Sequence, residues 1–406
     1  MNSAISKNFY DISNTSKDWK EIRLKYIMSI SDKKSSDFNN EKNLSLTKFG
    51  IVINDIENNK GQIAESYEKY ISIKKNQICM NPMDLVSGWV DISPYDGIIS
   101  PAYYTFILSG RFNNKFINYY LQSNYFRKTF FTLGKGVASH DNYGRWVLTP
   151  EEFKNIFIYY PPFSKQQQIA SFLDTKSLLI STLIEKTQQK MELLKEKRLK
   201  LIEDIILNSN TKRIQLRNVV NLIKRPIQRE DNNTYTKIGM YNWGKGIFKY
   251  PSEKGSELGD SSFNYINEGD LLLSGQFAWE GSVSIVEKEE DNCISSHRFH
   301  ILNCEKTKIL KEYLWSYFTS QEGHFLLSEN SPGSAGRNRP LNIDKLLKEK
   351  IPVPLMNKQM EIQSLVIENR KYEKYSKRKI ELLKEYKQSL ISSLVIGKIR
   401  VSKNTI

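Results

Sequence analysis

The chain of 406 residues contains few residues that bind metals or form disulfides. It has three cysteines, Cys79, Cys293 and Cys304, with no CxxC pair among them, and four histidines with no HExxH motif. An odd number of widely spaced cysteines supports neither a disulfide framework nor a zinc site. We therefore expect the three thiols to be small buried groups and the chain to hold no metal.

Long apolar segments are also missing. No run approaches the roughly 18 apolar residues of a membrane span, and residues 1–20 lack the basic-then-apolar layout of a signal peptide. Charged residues make up 26% of the chain, hydrophobic residues make up 39%, and the mean hydropathy is −0.51. This composition predicts a cytoplasmic protein with enough apolar residues for two packed cores.

Motifs of nucleotide-binding and methyl-transfer enzymes are absent as well. The pattern GxxxxGK[ST] does not occur, because Gly244-Lys245 is followed by another glycine. The sequence YPPF at 160–163 resembles the Asn/Asp-Pro-Pro-Tyr/Phe loop of amino-methyltransferases. That loop needs a carboxylate or an amide to bind the target amino group, and Tyr160 offers only a phenol. We interpret this segment as a strand end that leads into a helix, and we predict a chain without catalytic residues.

Positive charge is abundant. Lysine and arginine number 60 against 45 for aspartate and glutamate, which gives a net charge of +15 and a pI near 9.3. Because each phosphate neutralised by a basic side chain releases bound counterions, this excess favours a polyanionic partner. A lysine-rich surface that serves only solubility stays open as an alternative.

The two halves of the chain repeat each other at an offset of about 190 residues. The matching pairs are ELLKE at 192–196 and 381–385, KQQQI at 165–169 and KQMEI at 358–362, and EIRLKYIMSI at 21–30 and RIQLRNVVNL at 213–222. Weaker pairs are DLVSG at 84–88 with residues 270–275, and ISPAYYTFIL at 99–108 with ISSHRFHIL at 294–302. Because the ends agree better than the middles, the repeat predicts one scaffold that carries two different recognition domains.

Two segments carry the seven-residue apolar spacing of long coiled-coil helices. The first is predicted over Ser164–Leu207, with breaks in its two seams at Thr187 and at Ser177 and Arg198. The second is predicted over Asn357–Val395 and stops near Gly397. The predicted seam residues are Leu173, Ile180, Ile184, Met191, Leu194, Leu201 and Ile205 in the first helix, and Ile362, Val366, Ile380, Leu383, Leu390 and Leu394 in the second.

The spacing between landmarks differs by about one helical turn between the two helices. Gln166 and Glu192 are 26 residues apart, whereas Gln359 and Glu381 are 22 residues apart. A local stutter keeps both seams facing a partner helix in spite of this difference. We expect the two helices to pair antiparallel.

The segment before each helix is predicted to be mixed α/β. Runs rich in Ile, Val, Tyr and Phe predict strands at 50–54, 99–108, 156–160, 270–274, 282–286 and 297–302, and short helices are expected at 111–131 and 308–320. The predicted fold is mixed α/β (α+β), with two globular domains separated and joined by two long antiparallel coiled-coil helices in a pseudo-twofold tandem repeat. The predicted boundaries are 1–162 for the first domain, 163–208 for the first helix, 209–355 for the second domain, and 356–406 for the second helix and tail.

This arrangement resembles the specificity (S) subunit of Type I restriction-modification systems, the HsdS family. The segments that carry the resemblance are residues 19–30, GIISPAYYTFIL at 97–108, YYPPFSKQQQIASFLD at 159–174, MELLKEKRLKLIEDII at 191–206, IPVPLMNKQMEI at 351–362 and ELLKEYKQSLISSLVIGKIRV at 381–401. One departure is that Lys165-Gln166 and Lys358-Gln359 stand where the family usually has Glu-Gln.

The resemblance implies a non-catalytic subunit that binds a bipartite double-stranded DNA target, with one half-site per domain. It also implies docking of two methyltransferase subunits and, in complexes that cut DNA, of two endonuclease (translocase) subunits. S-adenosylmethionine, ATP and Mg²⁺ would then be bound by those partners, which methylate adenine at N6 and cleave foreign DNA such as that of phages. The long helices would set the separation of the half-sites.

The best candidates for DNA contact are loops rich in Gly, Ser, Asn and Arg late in each domain. Arginine can bind guanine bidentately and asparagine can do so with adenine, although the same residues are common in surface turns. The predicted DNA-binding residues are Lys135, Ser139, His140, Asn142, Tyr143 and Arg145 in the first domain, and Gln276, Ser334, Arg337, Asn338 and Arg339 in the second. Trp279, close to Gln276, is expected to lie in the core.

Two other classes of protein remain open from the sequence. One is a coiled-coil adaptor whose basic charge is incidental; its interactions would not weaken with salt as phosphate-dominated DNA binding does. The other is a relative of single-chain restriction-methylation enzymes, against which the missing cofactor and nuclease motifs argue.

Overall fold

The computed structural model describes residues 18–38, 40–47, 50–54, 64, 66–83, 90–137, 145–207, 211–333 and 339–401. The chain divides into two compact units, of which the first comprises residues 1–185 and 379–406 and the second comprises residues 186–378. Both long helices are therefore shared, since each contributes one part to the first unit and the other part to the second.

The described residues of the first unit form twelve strands and three short helices, followed by the start of a long helix. The strands are β1 (Lys20–Arg23), β2 (Met28–Ser31), β3 (Asn43–Thr47), β4 (Gly50–Ile53), β5 (Ile71–Ile73), β6 (Ile78–Met80), β7 (Val90–Ile92), β8 (Gly97–Ile99), β9 (Tyr104–Leu108), β10 (Lys135–Val137), β11 (Arg145–Val147) and β12 (Phe157–Tyr160). The helices are α1 (Asn114–Gln122), α2 (Asn124–Leu133), α3 (Pro150–Asn155) and the long α4 (Phe163–Leu207).

The second unit has the same number of described strands and ends in the other long helix. The strands are β13 (Lys212–Gln215), β14 (Val220–Ile223), β15 (Thr234–Tyr235), β16 (Ile238–Met240), β17 (Ile247–Lys249), β18 (Glu253–Lys254), β19 (Phe263–Tyr265), β20 (Leu271–Ser274), β21 (Val283–Ile285), β22 (Ile294–Ser296), β23 (Phe299–Cys304) and β24 (Lys350–Val353). The helices are α5 (Lys311–Phe318), α6 (Gln321–Glu329), α7 (Ile343–Leu346) and the long α8 (Met356–Val395).

The strand order confirms the repeat that the sequence predicts. The central sheet has the order β2-β9-β6-β7 in the first unit and β14-β23-β20-β21 in the second. In each unit a separate antiparallel pair joins the first strand to the strand that precedes the long helix, β1 with β12 and β13 with β24. A pair of short helices, α1 with α2 or α5 with α6, follows the second strand of each central sheet. The entry and exit of each unit are thus built in the same way.

The core of each unit is formed by the central sheet, the helix pair and one stretch of each long helix. In the first unit Phe106, Phe116 and Tyr120 are fully buried together with Leu173 of α4 and Leu394 of α8. The second unit has an equivalent cluster; its members include Leu302, Tyr313, Tyr317, Ile202 of α4 and Ile362 of α8. Because apolar burial is the main stabilising contribution in folded proteins, each part of a long helix is held mainly by the sheet and helix pair of the unit to which that part belongs.

A buried glutamine fixes the start of each long helix to its domain. The Gln166 side chain accepts a hydrogen bond from the Asn113 N–H at 2.9 Å and donates one to the Pro161 carbonyl at 2.9 Å. The Gln359 side chain likewise accepts from the Leu310 N–H at 2.8 Å and donates to two carbonyl oxygens at 3.0 Å. Both side chains satisfy backbone groups at the beginning of a short helix, which explains why the glutamine is present in both copies.

The two long helices run antiparallel, as the spacing predicts. Within the second unit, the Asn369 side chain donates to the Leu194 carbonyl at 3.0 Å, and the Lys190 ammonium lies 4.6 Å from the centroid of the Tyr372 ring. Residue numbers therefore rise along α4 as they fall along α8. All thirteen predicted seam residues are buried or half-buried. Two of the apparent breaks, Thr187 and Arg198, also face inward, with exposed fractions of 6% and 5%.

The local predictions hold for the ends of the repeat and require correction in the middle. The helix expected over 111–131 is two helices, because Ser123 has extended backbone angles and its side chain caps α2 by accepting from the Phe126 N–H. The strand expected over 99–108 is interrupted by a turn closed from the Tyr103 N–H to the Ser100 carbonyl, with Pro101 at its second position.

One weak match in the middle of the repeat is wrong. The sequence matches DLVSG at 84–88 with residues 270–275, which contain β20. In the central sheets, however, β20 occupies the position of β6 at residues 78–80. Residues 84–88 themselves lie outside the described residues. The match of 99–108 with 294–302 is supported, because β9 and β23 occupy equivalent positions. All three cysteines are buried, as expected. No helix in the described part of the chain is both long and apolar enough to cross a membrane.

Candidate nucleic-acid interface

The candidate segment of the first unit contains two paired strands, β10 and β11, of which β10 comes directly after α2. Strands β10 and β11 pair antiparallel, with Lys135 opposite Val147 and Val137 opposite Arg145. Two of the predicted DNA-binding residues, Lys135 and Arg145, therefore belong to these strands. The other four, Ser139, His140, Asn142 and Tyr143, lie outside the described residues. Their contact with DNA stays a prediction.

The candidate segment of the second unit follows α6, the counterpart of α2. Ser334, Arg337 and Asn338 lie outside the described residues, whereas Arg339 is held firmly within the unit. Its guanidinium donates to the Ser331 carbonyl and to both the carbonyl and the hydroxyl of Ser328, each at 3.1 Å. Because these bonds use most of its donors, Arg339 anchors the end of the segment to α6.

A second predicted residue, Gln276, joins Arg339 in one cluster. The Trp279 indole N–H donates to the Gln276 carbonyl at 3.1 Å, and the Arg339 guanidinium lies 5.1 Å from the centroid of the Trp279 ring. On its other side, Gln276 accepts a bond at 3.3 Å from the guanidinium of Arg298, which is exposed to solvent. We call Gln276, Trp279, Arg298 and Arg339 the arginine cluster. Trp279, expected in the core, is half-buried within it.

Gly275 allows the close approach on which this cluster depends. Its N–H donates to the Arg298 carbonyl at 2.6 Å, and a Cβ at this position would lie 2.6 Å from the same oxygen. A larger residue would push Arg298 away from the end of β20. The backbone contact therefore places an arginine and a glutamine side by side at the surface, the two kinds of donor that read guanine and adenine edges.

Two further features were not predicted from the sequence, namely Arg298 and the exposed turn between β16 and β17. In that turn Tyr241 and Trp243 are 52% and 62% exposed, and the Trp243 ring stacks on His324 with centroids 4.7 Å apart. Exposed aromatic side chains beside a lysine, here Lys245, are typical of surfaces that bind nucleic acid. The sequence signal for this turn is a pair of aromatic residues next to Gly244 and Gly246.

Charge in this region is carried by arginine and lysine, and His300 and His324 contribute none. Burial lowers the pKa of both His300 and His324 below the usual value for histidine. Both imidazoles are therefore neutral at pH 7, and His324 acts as a stacking surface for Trp243. Salt-sensitive binding through this part of the unit would depend on Arg298 and Lys245.

Comparison with known proteins was made by sequence and by structure. Residues 16–193 match the family model described as the Type I restriction modification DNA specificity domain. No curated protein matches the sequence.

Three solved structures resemble the chain over nearly its whole length. One comes from work on the structural basis of complex assembly and conformational transition of the type I R-M system; its TM-score is 0.63 and its identity 12%, covering 95% of this chain and 99% of that one. The HsdS subunit from Thermoanaerobacter tengcongensis has a TM-score of 0.51 and 15% identity, covering 95% and 98%. The S subunit from M. genitalium has a TM-score of 0.50 and 14% identity, covering 94% and 96%. At these identities the likeness is one of fold, and it confirms the predicted fold class.

Proposed function

Because residues 16–193 belong to the Type I restriction modification DNA specificity family, we propose that this chain is a specificity subunit that binds a bipartite double-stranded DNA target. Each globular domain would recognise one half-site. The observation that carries this proposal is the repeat, since the same sheet order, helix pair and glutamine contact occur in both units. The candidate contact segments follow equivalent helices but differ in sequence, as two half-sites of different sequence would require.

The chain would select DNA and its partners would perform the chemistry. Specificity subunits of this family are non-catalytic. In the proposed complex, two methyltransferase subunits would bind S-adenosylmethionine and methylate adenine at N6, and endonuclease subunits would use ATP and Mg²⁺ to translocate and cleave DNA. This assembly would act in the cytoplasm.

Exposed apolar side chains on the long helices support docking of such partners. Leu178 and Leu179 of α4 are 70% and 52% exposed in the first unit, and Ile367 and Tyr375 of α8 are 55% and 64% exposed in the second. Apolar side chains grouped on exposed helices are typical of protein interfaces. The coiled-coil adaptor function is thus part of this proposal, and DNA binding is what distinguishes the proposal from an adaptor alone.

The experiment is coexpression with a Type I methyltransferase subunit from the same organism, followed by sequencing of methylated adenines. We expect a split motif with a fixed spacer, and binding to that motif that weakens steeply as salt rises. Methylation without a defined motif, or binding that does not change with salt, would favour the adaptor.

The arginine cluster gives a sharper test of the second half-site. Arg298→Ala should lower the affinity for the specific duplex by about 1–3 kcal/mol, because the residue is exposed and available to a base edge. Arg339→Ala removes the anchor described above and should reduce thermal stability as well as DNA affinity. Equal affinity of Arg298→Ala and the unmodified chain would remove Arg298 from the interface.

The long helices would set the spacer between the half-sites. Insertion of whole helical turns into both α4 and α8 should lengthen the methylated spacer and leave both half-sites unchanged. A changed half-site with an unchanged spacer would contradict this role.

A further inference from the structure

A buried arginine in the second unit has no acidic partner among the residues that the structure describes. Arg198 of α4 is only 5% exposed, and its one hydrogen bond runs from Nη1 to the Thr319 hydroxyl at 2.9 Å. Its guanidinium lies 4.5 Å from the centroid of the Trp315 ring. Within the described part of the chain, no carboxylate lies within ion-pair distance of it. A buried charge without a counter-charge is unfavourable, so this position calls for an anion.

A second arginine adds to the positive charge at the same ring. The Arg370 guanidinium lies 4.7 Å from the Trp315 centroid and forms an ion pair with Glu287 at 2.9 Å. Burial and the nearby charge of Arg370 lower the pKa of Arg198 to about 10. Arg198 therefore remains charged at pH 7. Glu287 pairs with Arg370 and not with Arg198, so the charge of Arg198 is not compensated by this acid.

The first unit provides an acid at the equivalent place. Lys387 lies two residues after the second ELLKE segment, as Arg198 lies two residues after the first. Burial lowers the pKa of Lys387, and the nearby charge of Asp91 opposes this lowering. Asp91 is the middle residue of β7. The middle residue of the equivalent strand β21 is Ser284, so the second unit has a hydroxyl where the first has a carboxylate.

Arg198 lines a cavity of about 330 Å³ that is rich in hydrogen-bond donors. Its acids, Glu192 and Glu373, already lie near Lys195 and Lys377, at 3.8 and 2.6 Å. The other cations that line it are Arg370 and Lys245. The buried indole N–H of Trp315 has no acceptor among the described residues.

We propose that this cavity binds an oxyanion of the phosphate class, with Arg198 as its main cation. A tetrahedral oxyanion offers several acceptors at once, which suits guanidinium, ammonium and indole donors better than a single carboxylate does.

The test measures thermal unfolding of the full-length chain in increasing inorganic phosphate, with ionic strength held constant by sodium chloride. We expect Tm to rise by roughly 3 °C when phosphate reaches about ten times its Kd. Arg198→Gln should abolish the rise. Lys197→Gln, which removes the same charge from the exposed neighbouring residue, should retain it.

A second variant keeps the test decisive if Arg198→Gln fails to fold. Lys245→Gln removes another cation that lines the cavity, at an exposed position, so it should lower the phosphate response and leave the Tm without phosphate unchanged. No response in the unmodified chain, or an equal response in Arg198→Gln and Lys197→Gln, would overturn the site.

The affinity of the chain for a DNA duplex of unrelated sequence shows whether the phosphate group comes from DNA or from free phosphate. If the cavity takes a DNA backbone phosphate, Arg198→Gln should weaken duplex binding by about tenfold and reduce its salt slope by about one. If it takes a free phosphate, Arg198→Gln should lose the thermal response to phosphate with duplex affinity unchanged.

Discussion

The contacts that fix the long helices to the first and second units are alike in one respect and different in another. A glutamine, Gln166 or Gln359, satisfies backbone groups in both units with nearly the same hydrogen bonds. At another pair of equivalent positions, the first unit has Asp91 and Lys387 where the second unit has Ser284 and Arg198. A buried backbone N–H or carbonyl group can be satisfied only by a hydrogen bond of suitable geometry. A buried charge, in contrast, can be compensated by an acid, an aromatic ring or a bound ion.

The largest expected effect tests the part that is alike. Gln166→Ala and Gln359→Ala should each destabilise their own unit by about 3 kcal/mol, because each leaves a buried N–H and at least one carbonyl without a partner. Hydrogen exchange measured by mass spectrometry separates the two units during unfolding in urea.

Gln167→Ala is the matched control, since Gln167 is exposed and its removal should cost little. If one glutamine proved dispensable and the other did not, the two attachments would not be equivalent in energy.

The next effect tests the part that differs. Lys387→Met leaves Asp91 without its neighbouring cation and should destabilise the first unit by about 1–2 kcal/mol. Arg198→Met loses one hydrogen bond and the contact with Trp315, but it also removes an uncompensated charge, so we expect a change within about 1 kcal/mol. The comparison is made in chloride buffer without phosphate. A larger loss for Arg198→Met would show that the aromatic contact alone compensates the charge.

The acid of the first unit also gives that unit its own dependence on pH. Burial raises the pKa of Asp91 above the ordinary value of 3.8. The folded state then binds this proton more tightly than the unfolded state, so the stability of the first unit falls as pH rises from 3.8 through the raised pKa.

Asp91→Asn should flatten this dependence in the first unit, as measured by urea unfolding at a series of pH values. Ser284 does not titrate, so the equivalent position of the second unit should add no such slope. An unchanged slope in Asp91→Asn would assign the dependence to another group.

The smallest expected effect lies in the seam between the long helices. The Ser376 hydroxyl is fully buried with no hydrogen-bond partner among the described residues. Ser376→Ala should therefore stabilise the second unit by about 0.5–1 kcal/mol. Ser364→Ala, at an exposed hydroxyl that bonds to the Met360 carbonyl, is the control and should change stability little. A loss of stability in Ser376→Ala would mean that this hydroxyl has a partner.

The sequence predicted the long helices to within a residue at each end. Their apolar spacing continues without glycine or proline, and the breaks at Thr187 and Arg198 hardly disturb it. The strand over 99–108 and the helix over 111–131 were predicted too long, because Pro101 and Ser123 act through a turn and a cap that periodicity does not detect.

The candidate DNA surface was predicted less completely than the fold. Gln276 and Arg298 are 22 residues apart and meet only because β20 and β23 pair in the sheet. Arg339 was selected as a DNA contact by residue type, yet its guanidinium is used within the unit. Contacts made across a sheet leave no local pattern, whereas a helix seam leaves a regular one.

The most direct test of the proposed two recognition domains on one scaffold is to exchange residues before Ser164 for those of a specificity subunit with a known target. The methylated motif is then sequenced in cells that also express the methyltransferase. We predict that one half of the split motif changes, while the other half and the spacer stay the same. A change in both halves, or an unbroken motif, would contradict it.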